Sequence, residues 1–227
     1  DFRFSREAIL NRIDDVQPAF FIMSVPHNPT GEQYPFNFLK AISDKMKALG
    51  GYFVIDEAYI EFGEPIEVAL EDHIIVMKTL SKAFALAGLR IGVVISTPKT
   101  IQLLNRFAHP YPMSTLSLTL AETLFKDTKR VMNLIAEQRY LCRKLNDIFK
   151  PYHSNDLKVI PSKANFVFTY GPKARSLGEY VMEHGFKPRI YDEPELNEAV
   201  RYSIATDQEL DQLSQIIKEW SEQNDLS

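Results

Sequence analysis

The sequence predicts an α/β protein: a mainly parallel sheet covered by helices, followed by a smaller α+β region. Three observations predict it. Between residues 19 and 96, short β-branched or aromatic runs alternate with helix-spaced apolar residues. Each of the first three runs is followed at once by a polar cluster. Beyond residue 96 the alternation gives way to a long helical stretch and then to a mixture of short strands and helices. Alternation of this kind implies ligands collected at the carboxyl ends of the strands.

Taken in order, the runs at 19–25, 52–55, 74–78 and 91–96 read as buried strands. Between the first two, Phe36, Leu39, Ile42, Met46 and Leu49 recur at helical spacing over 35–49, before a Gly50-Gly51 stop. The polar clusters are His27-Asn28-Pro29-Thr30-Gly31, Asp56-Glu57-Ala58-Tyr59 and Thr79-Leu80-Ser81-Lys82, and side-by-side strands place these loops side by side. Only residues 79–90 separate the third and fourth strands, near the roughly twelve-residue lower limit of a parallel crossover, which favours an antiparallel fourth strand. Such a strand delivers Arg90, at its start, to the same edge.

Pro110 and Pro112 then punctuate a loop, Ser114 is a candidate N-cap, and one helical stretch runs to about Phe149. Val131, Leu134, Leu141, Cys142, Leu145 and Phe149 share a face of it, so Cys142 is expected in the core. Strands are expected at 165–170, 187–191 and 200–204, and helices at 174–183 and 207–223. Thr206 and Glu209 form a capping box for the last helix, whose apolar face carries Leu210, Leu213, Ile217 and Trp220. The expected division is 1–112 as a large domain, 113–150 as a linking helix and 151–227 as a small α+β domain.

Composition narrows the function. The 227 residues are 45% apolar and 25% charged, with 9 glycines and 13 prolines, which excludes disorder and collagen-like repeats. A net charge of −4 provides no basic field for nucleic acid or anionic lipid, so the aromatic residues read as core and not as a stacking platform. A single cysteine excludes an internal disulfide and a Cys-based metal site and fits a reducing cytoplasm. The five histidines lack ligand spacing, and no Gly-x-Gly-x-x-Gly or P-loop occurs, so no metal is expected. The longest apolar run, near 19–23, is far short of the ~20 residues that cross a bilayer, and no secretory signal opens the chain. The chain begins at Asp1 and not at methionine, which suggests a piece of a longer protein.

An Asn, an Asp, a Tyr, a Lys and an Arg converging on one sheet edge are what a phosphorylated pyridine aldehyde needs. Lys82 can hold the aldehyde as an imine. Asp56 can keep the ring nitrogen protonated, making the ring an electron sink. Asn28 and Tyr59 can donate to the ring's phenolic oxygen, which lowers the imine pKa. Thr79, Ser81 and Arg90 suit the phosphate. Each signal alone is weak: an Asp after a strand usually caps a helix, Asn-Pro-Thr-Gly is usually a turn, and a Ser-Lys pair is usually solvated surface.

The ordered combination is more specific. "HNPTG", then "DEAY", then "TLSKAFALAGLRIG" resembles the cofactor signature of aminotransferases of the aspartate-aminotransferase fold. "DEAYIEF", "TLSKAFALAGLR" and "HPYPMST" (residues 109–115) most resemble the histidinol-phosphate branch. The resemblance spans essentially the chain from Phe20 to the last helix. It implies fold type I and pyridoxal 5'-phosphate as cofactor. By it, Lys82 is the Schiff-base lysine and proton shuttle, Asp56 the pyridinium partner, and Asn28 and Tyr59 the phenolate donors. Thr79, Ser81 and Arg90 become phosphate ligands. It further implies that Arg201 in "VRYSIAT" holds the substrate's acid group, that Arg189 in "KPRIYD" is a second substrate-phosphate contact, and that the protein is a homodimer.

His27 stands where that branch usually has asparagine, and Ala205 replaces the usual glycine. Family members also carry an amino-terminal portion with a small-residue phosphate loop, a stacking aromatic ring and further sheet strands. Its absence here implies the carboxy-terminal part of an aminotransferase, with apolar edges exposed unless another chain covers them. The expected reaction is amino transfer from histidinol phosphate or an aromatic amino acid to 2-oxoglutarate. The alternatives are a same-fold decarboxylase of a phosphorylated amino acid and a non-catalytic remnant.

Overall fold

The computed structural model describes residues 2, 4–110 and 112–224. Tyr111, in the middle of the "HPYPMST" motif, lies outside them. The chain folds into two compact units, the first made of residues 1–26 and 33–135, the second of residues 27–32 and 136–227.

The first unit is built on helix α1 (Arg6–Val16), strand β1 (Phe20–Ser24), helix α2 (Phe36–Ala48), strands β2 (Tyr52–Asp56), β3 (Ile74–Thr79) and β4 (Gly92–Ile95), and helices α3 (Pro98–Asn105) and α4 (Thr115–Lys126). The sheet order is β1-β2-β3-β4. β1, β2 and β3 are parallel, with Ser24 opposite Asp56 and Asp56 opposite Met77, so all three end on one edge. β4 is antiparallel to β3, with Thr79 opposite Gly92, as the short connection favours.

Side chains alternate along a strand. Met23, Phe53, Ile55, Ile74 and Val76 therefore share one face, which packs on Phe38, Leu39, Ile42 and Met46 of α2 and Ile13 of α1. Burying each such side chain contributes roughly 1.5–3 kcal/mol of transfer free energy. On the edge strands, Phe20, Ile22, Val93 and Val94 are exposed.

The single helical stretch expected from Ser114 to Phe149 is two helices, α4 and α5 (Thr128–Phe149), which corrects the sequence reading. The break is at Asp127, whose carboxylate accepts the Arg130 amide at 3.0 Å and caps the second helix while its own N–H closes the first on Leu124. A short polar side chain that competes with the backbone ended a run whose apolar periodicity alone gave no sign of a break.

The second unit contains residues 136–149 of α5, strands β5 (Lys158–Ile160) and β6 (Phe166–Tyr170), helix α6 (Ala174–Glu183), strands β7 (Arg189–Ile190) and β8 (Ala199–Ser203), and helix α7 (Asp207–Gln223). Its sheet is antiparallel throughout, in the order β5-β6-β8-β7. Leu145, Phe149, Val167, Leu177, Val200, Leu213 and Trp220 make its core. Cys142 is buried, and desolvation pushes its thiol up to about 12, so it packs as an apolar group. The capping box of α7 forms as expected. Lys144 adds a clasp on the same turn, bonding the Asp207 carbonyl at 2.9 Å and the Asp211 carboxylate at 2.6 Å.

α1, α3 and β5 escape the periodicity argument. α1 and α3 each fully bury a single side chain, Ile13 and Thr100, and β5 is three residues long. Their ends are set instead by the Ser5 and Thr97 caps. No described helix is long and apolar enough to cross a membrane.

Leu145 is fully buried. Leu145→Ala is expected to destabilise the second unit by about 2–5 kcal/mol. Thr206→Ala, which removes only the cap, should cost about 1 kcal/mol. Urea denaturation followed by Trp220 fluorescence measures both, and a cap variant as damaging as the core variant would contradict this division.

Candidate active site

In the first unit, the turns after β2 and β3 form one continuous polar edge. β2 ends at Asp56, whose carboxylate accepts the Ala58 amide at 3.0 Å and so holds the first bend of the turn. Tyr59 follows, 7% exposed, ahead of a 3-10 turn over Ile60–Phe62. Lys82 comes to the same place from β3, with Nζ 5.6 Å from the centre of the Tyr59 ring. Within this unit the structure thus brings Lys82 to Tyr59, with Asp56 at the start of the turn that carries Tyr59.

Thr79 and Ser81 form the floor of the second turn. The Ser81 amide donates to Thr79 Oγ1 at 3.1 Å, and the Thr79 hydroxyl lies 2.9 Å from Ser81 Oγ. With Thr79 as the donor of that bond, the Ser81 O–H remains available for an anion. The Leu80 amide bonds the Ile91 carbonyl at 3.1 Å, which sets Arg90 across from Ser81. Arg90 and Ala85 both take left-handed backbone conformations, at φ 56° and 55°. Non-glycine residues seldom adopt them, and they cluster in ligand-holding turns. The Arg90 guanidinium bonds the Ala87 carbonyl at 3.2 Å. One amine, one carboxylate, hydroxyls and a guanidinium on a single strand-end edge are the donors and acceptors that an aldehyde, a ring nitrogen and a phosphate call for, so the residues fit pyridoxal phosphate.

The second unit carries the remaining candidates. Arg189 and Arg201 are directly opposed across the antiparallel β7–β8 pair, hence on one face. Arg201 lies 4.9 Å over the Phe166 ring and Arg189 5.3 Å over Tyr191. No described acidic residue is ion-paired with either arginine, and Arg201 Nε is buried without a hydrogen-bond partner. Like charges directly opposed are destabilising, and a bound anion relieves this. Burial raises the Tyr191 pKa, with the two arginines opposing the shift.

Arg201 Nη1 donates to Asn28 Oδ1 at 2.7 Å. Asn28 sits in the 27–32 loop, which is closed by Gly31 N–H to the His27 carbonyl and His27 N–H to the Glu32 carbonyl, both 2.7 Å. Gly31 is at φ +76°, and a side chain there would overlap the Ser162 hydroxyl, with its Cβ 2.6 Å from that of Ser162. The Lys163 amide bonds the Gly31 carbonyl at 2.7 Å. Asn146 holds Ser162 in turn, accepting its amide at 2.8 Å and donating to its carbonyl at 3.2 Å. His27 bonds Thr30 at 2.9 Å, and burial pulls its pKa down to about 4. Ala205 has no positive φ, so glycine is not required at its position.

Sequence reasoning missed Asn146 and Ser162, whose function is to hold another loop and which have no motif. It also missed an ion pair of the half-buried Lys78 with the buried Glu57, 2.6 Å apart. Strand alternation offered a signal for that pair, because both charges fall on core-facing positions.

Matched against known sequences, residues 1–217 fit the "Aminotransferase class I and II" family, and the chain belongs to that family. It is 29% identical over 214 residues to histidinol-phosphate aminotransferase of Clostridium novyi, covering 91% of this chain and 57% of that one. It is 32% identical over 238 residues to an aromatic amino acid aminotransferase of Cutibacterium acnes, covering 96% and 63%. Among solved structures, histidinol-phosphate aminotransferase of Sinorhizobium meliloti in complex with pyridoxal-5'-phosphate superimposes with a TM-score of 0.81 at 26% identity, covering 97% and 63%. The chain thus spans about three fifths of the length of these relatives.

Two outcomes follow from the 27–32 loop. Gly31→Ala should cost at least about 1–2 kcal/mol, from the left-handed backbone alone, and speed exchange of the Lys163 amide; unchanged exchange would contradict the packing. Because His27 binds its proton more weakly folded than unfolded, stability should fall as pH drops from 6.5 towards 4. Urea midpoints across that window should flatten in His27→Asn, and an equally steep profile in the variant would remove His27 as the cause.

Proposed function

We propose that this protein is a pyridoxal-phosphate-dependent aminotransferase that moves the amino group of histidinol phosphate to 2-oxoglutarate. The observation that carries the substrate reading is the opposed pair Arg189 and Arg201, two cations on one face without acidic partners. A donor bearing a phosphate neutralises such a pair more fully than one bearing a single carboxylate. The named relatives support the same reading.

When bound, pyridoxal phosphate supplies an aldehyde that condenses with amines and a ring that accepts electrons from the carbon bearing the amine. The residues of the chain do the rest. Lys82 Nζ would hold the aldehyde carbon and would be the base for the proton on the substrate's α-carbon. The Asp56 carboxylate would hold a proton at the ring nitrogen. Tyr59 would offer its hydroxyl to the phenolic oxygen, and Asn28 would offer its Nδ2, its Oδ1 being turned to Arg201. Ser81 and Arg90 would hold the cofactor phosphate, with Thr79 bracing Ser81. Arg201 would take the acid group of the substrate, which in histidinol phosphate is the phosphate, and Arg189 would be a second contact to that phosphate.

We assign these roles to a cofactor-binding domain over residues 1–112, a linking segment over 113–150 and a small domain over 151–227. We place the protein in the cytoplasm as a homodimer. The exposed Leu116, Leu118 and Phe125 of α4 favour self-association.

With the protein loaded with pyridoxal phosphate, borohydride should fix the cofactor to Lys82. Lys82→Ala should show no turnover, and Asp56→Ala a loss of about 10²–10⁴ in kcat. Arg189→Ala should raise KM for histidinol phosphate while leaving that for an aromatic amino acid nearly unchanged. Label on a different residue, or carbon dioxide released in place of a keto product, would overturn the assignment.

A further inference from the structure

Behind the polar edge of the first unit lies a charge cluster that the chemistry above does not use. Alternation turns Asp56 and Thr79 to one face of the sheet and Glu57 and Lys78 to the other, which α1 and α2 cover. Lys78 Nζ is 2.6 Å from Glu57 Oε2 and 3.7 Å from Glu61 Oε1. The Glu57 side chain is 7% exposed and that of Glu61 16%, while Lys78, at 34%, is half-buried. Burial raises the Glu61 pKa, against the pull of Lys78.

Stability is a weak reason for such a group. A buried carboxylate paired with a half-buried lysine gains little net, because desolvation of the carboxylate and solvent screening of the ammonium both offset the attraction. What the cluster does geometrically is tie together three places: the end of β3, the residue after Asp56, and the 3-10 turn that begins beyond Tyr59. Backbone bonds repeat the tie, with Glu57 N–H on the Met77 carbonyl at 2.8 Å and Ile60 N–H on the Glu57 carbonyl at 3.2 Å. Asp56, Tyr59 and the strand leading to Lys82 are therefore all anchored to one ammonium group.

We propose that Lys78, Glu57 and Glu61 are positioning residues whose ion-pair cluster fixes residues 56–59 against the strand end that carries Lys82, and so sets how firmly Asp56 and Tyr59 grip the cofactor. This rests on the assignment of pyridoxal phosphate to Lys82. Lys78→Met alone would leave Glu57 buried and uncompensated, so the informative variant is the pair Glu57→Gln with Lys78→Met. Lys78→Arg is its control, because a guanidinium fork can span both carboxylates.

The test uses the polypeptide as its source makes it, loaded with pyridoxal phosphate. It reads the pH midpoint of the bound cofactor's absorbance change, the cofactor Kd and the thermal midpoint. A looser grip disfavours the deprotonated form of the cofactor–lysine link, so the pair variant should move the absorbance midpoint up by about one pH unit, equivalent to a tenfold change in equilibrium. The Kd should rise by a similar factor, while Lys78→Arg stays near the parent. A folded pair variant with unchanged midpoint and Kd overturns the proposal. If that variant does not fold, Glu61→Gln replaces it, and a smaller upward shift supports the proposal where none overturns it. Parent protein in which borohydride labels no lysine, or one other than Lys82, overturns the cofactor assignment itself and the positioning role with it.

Discussion

The parallel register of β2 and β3 is the constraint on which the candidate chemistry of the first unit depends. Because Asp56 stands opposite Met77, the chain leaves both strands on the same edge, and the two turns that follow have nowhere to go but side by side. A slip of one residue in β2 would turn Asp56 into the apolar face and bring Ile55 out of it, and a slip in β3 would do the same to Thr79 and Val76. That face is paid for by the α2 side chains packed on it, so the hydrophobic core and the polar edge enforce each other. The antiparallel β4 completes the arrangement by returning the chain to Ser81, with Arg90 in a left-handed turn.

The second unit solves a different problem, which is to hold two guanidinium groups together. Their side chains lie over Tyr191 and Phe166, where the aromatic faces offset part of the repulsion. Asn28 satisfies one nitrogen of Arg201, and the loop that bears Asn28 is held by Gly31 packed against Ser162, which Asn146 pins in turn. A relay of neutral hydrogen bonds fixes the position of a charged group without introducing a competing charge.

Much of this was legible beforehand. The apolar periodicities of α2 and α7, the Gly50-Gly51 stop and the Thr206–Glu209 box each act within a few residues, so local pattern reveals them. The motif residues Asp56, Tyr59, Ser81 and Lys82 were legible for a related reason: each lies at a strand end or in the turn that follows it, and strand ends are visible in composition. α1, α3 and β5 were not, because each buries too little for its pattern to rise above the surrounding sequence. The division of one helical stretch at Asp127 depended on a single carboxylate turning back on the backbone, an event with no periodicity.

By itself the sequence determined the alternation of strands and helices, the order of the polar loops and the residue types available to chemistry, because these rest on local propensity and on which side chains avoid water. Only the tertiary structure decided which charges face each other: that Arg189 opposes Arg201, that Arg201 bonds Asn28 across 173 positions, and that Lys78 lies behind the sheet between Glu57 and Glu61. Contacts of that kind depend on strand register and chain reversal. These are settled by the packing of the whole unit, and local pattern shows at most that a charge faces the core, as at Glu57 and Lys78, never which partner it meets.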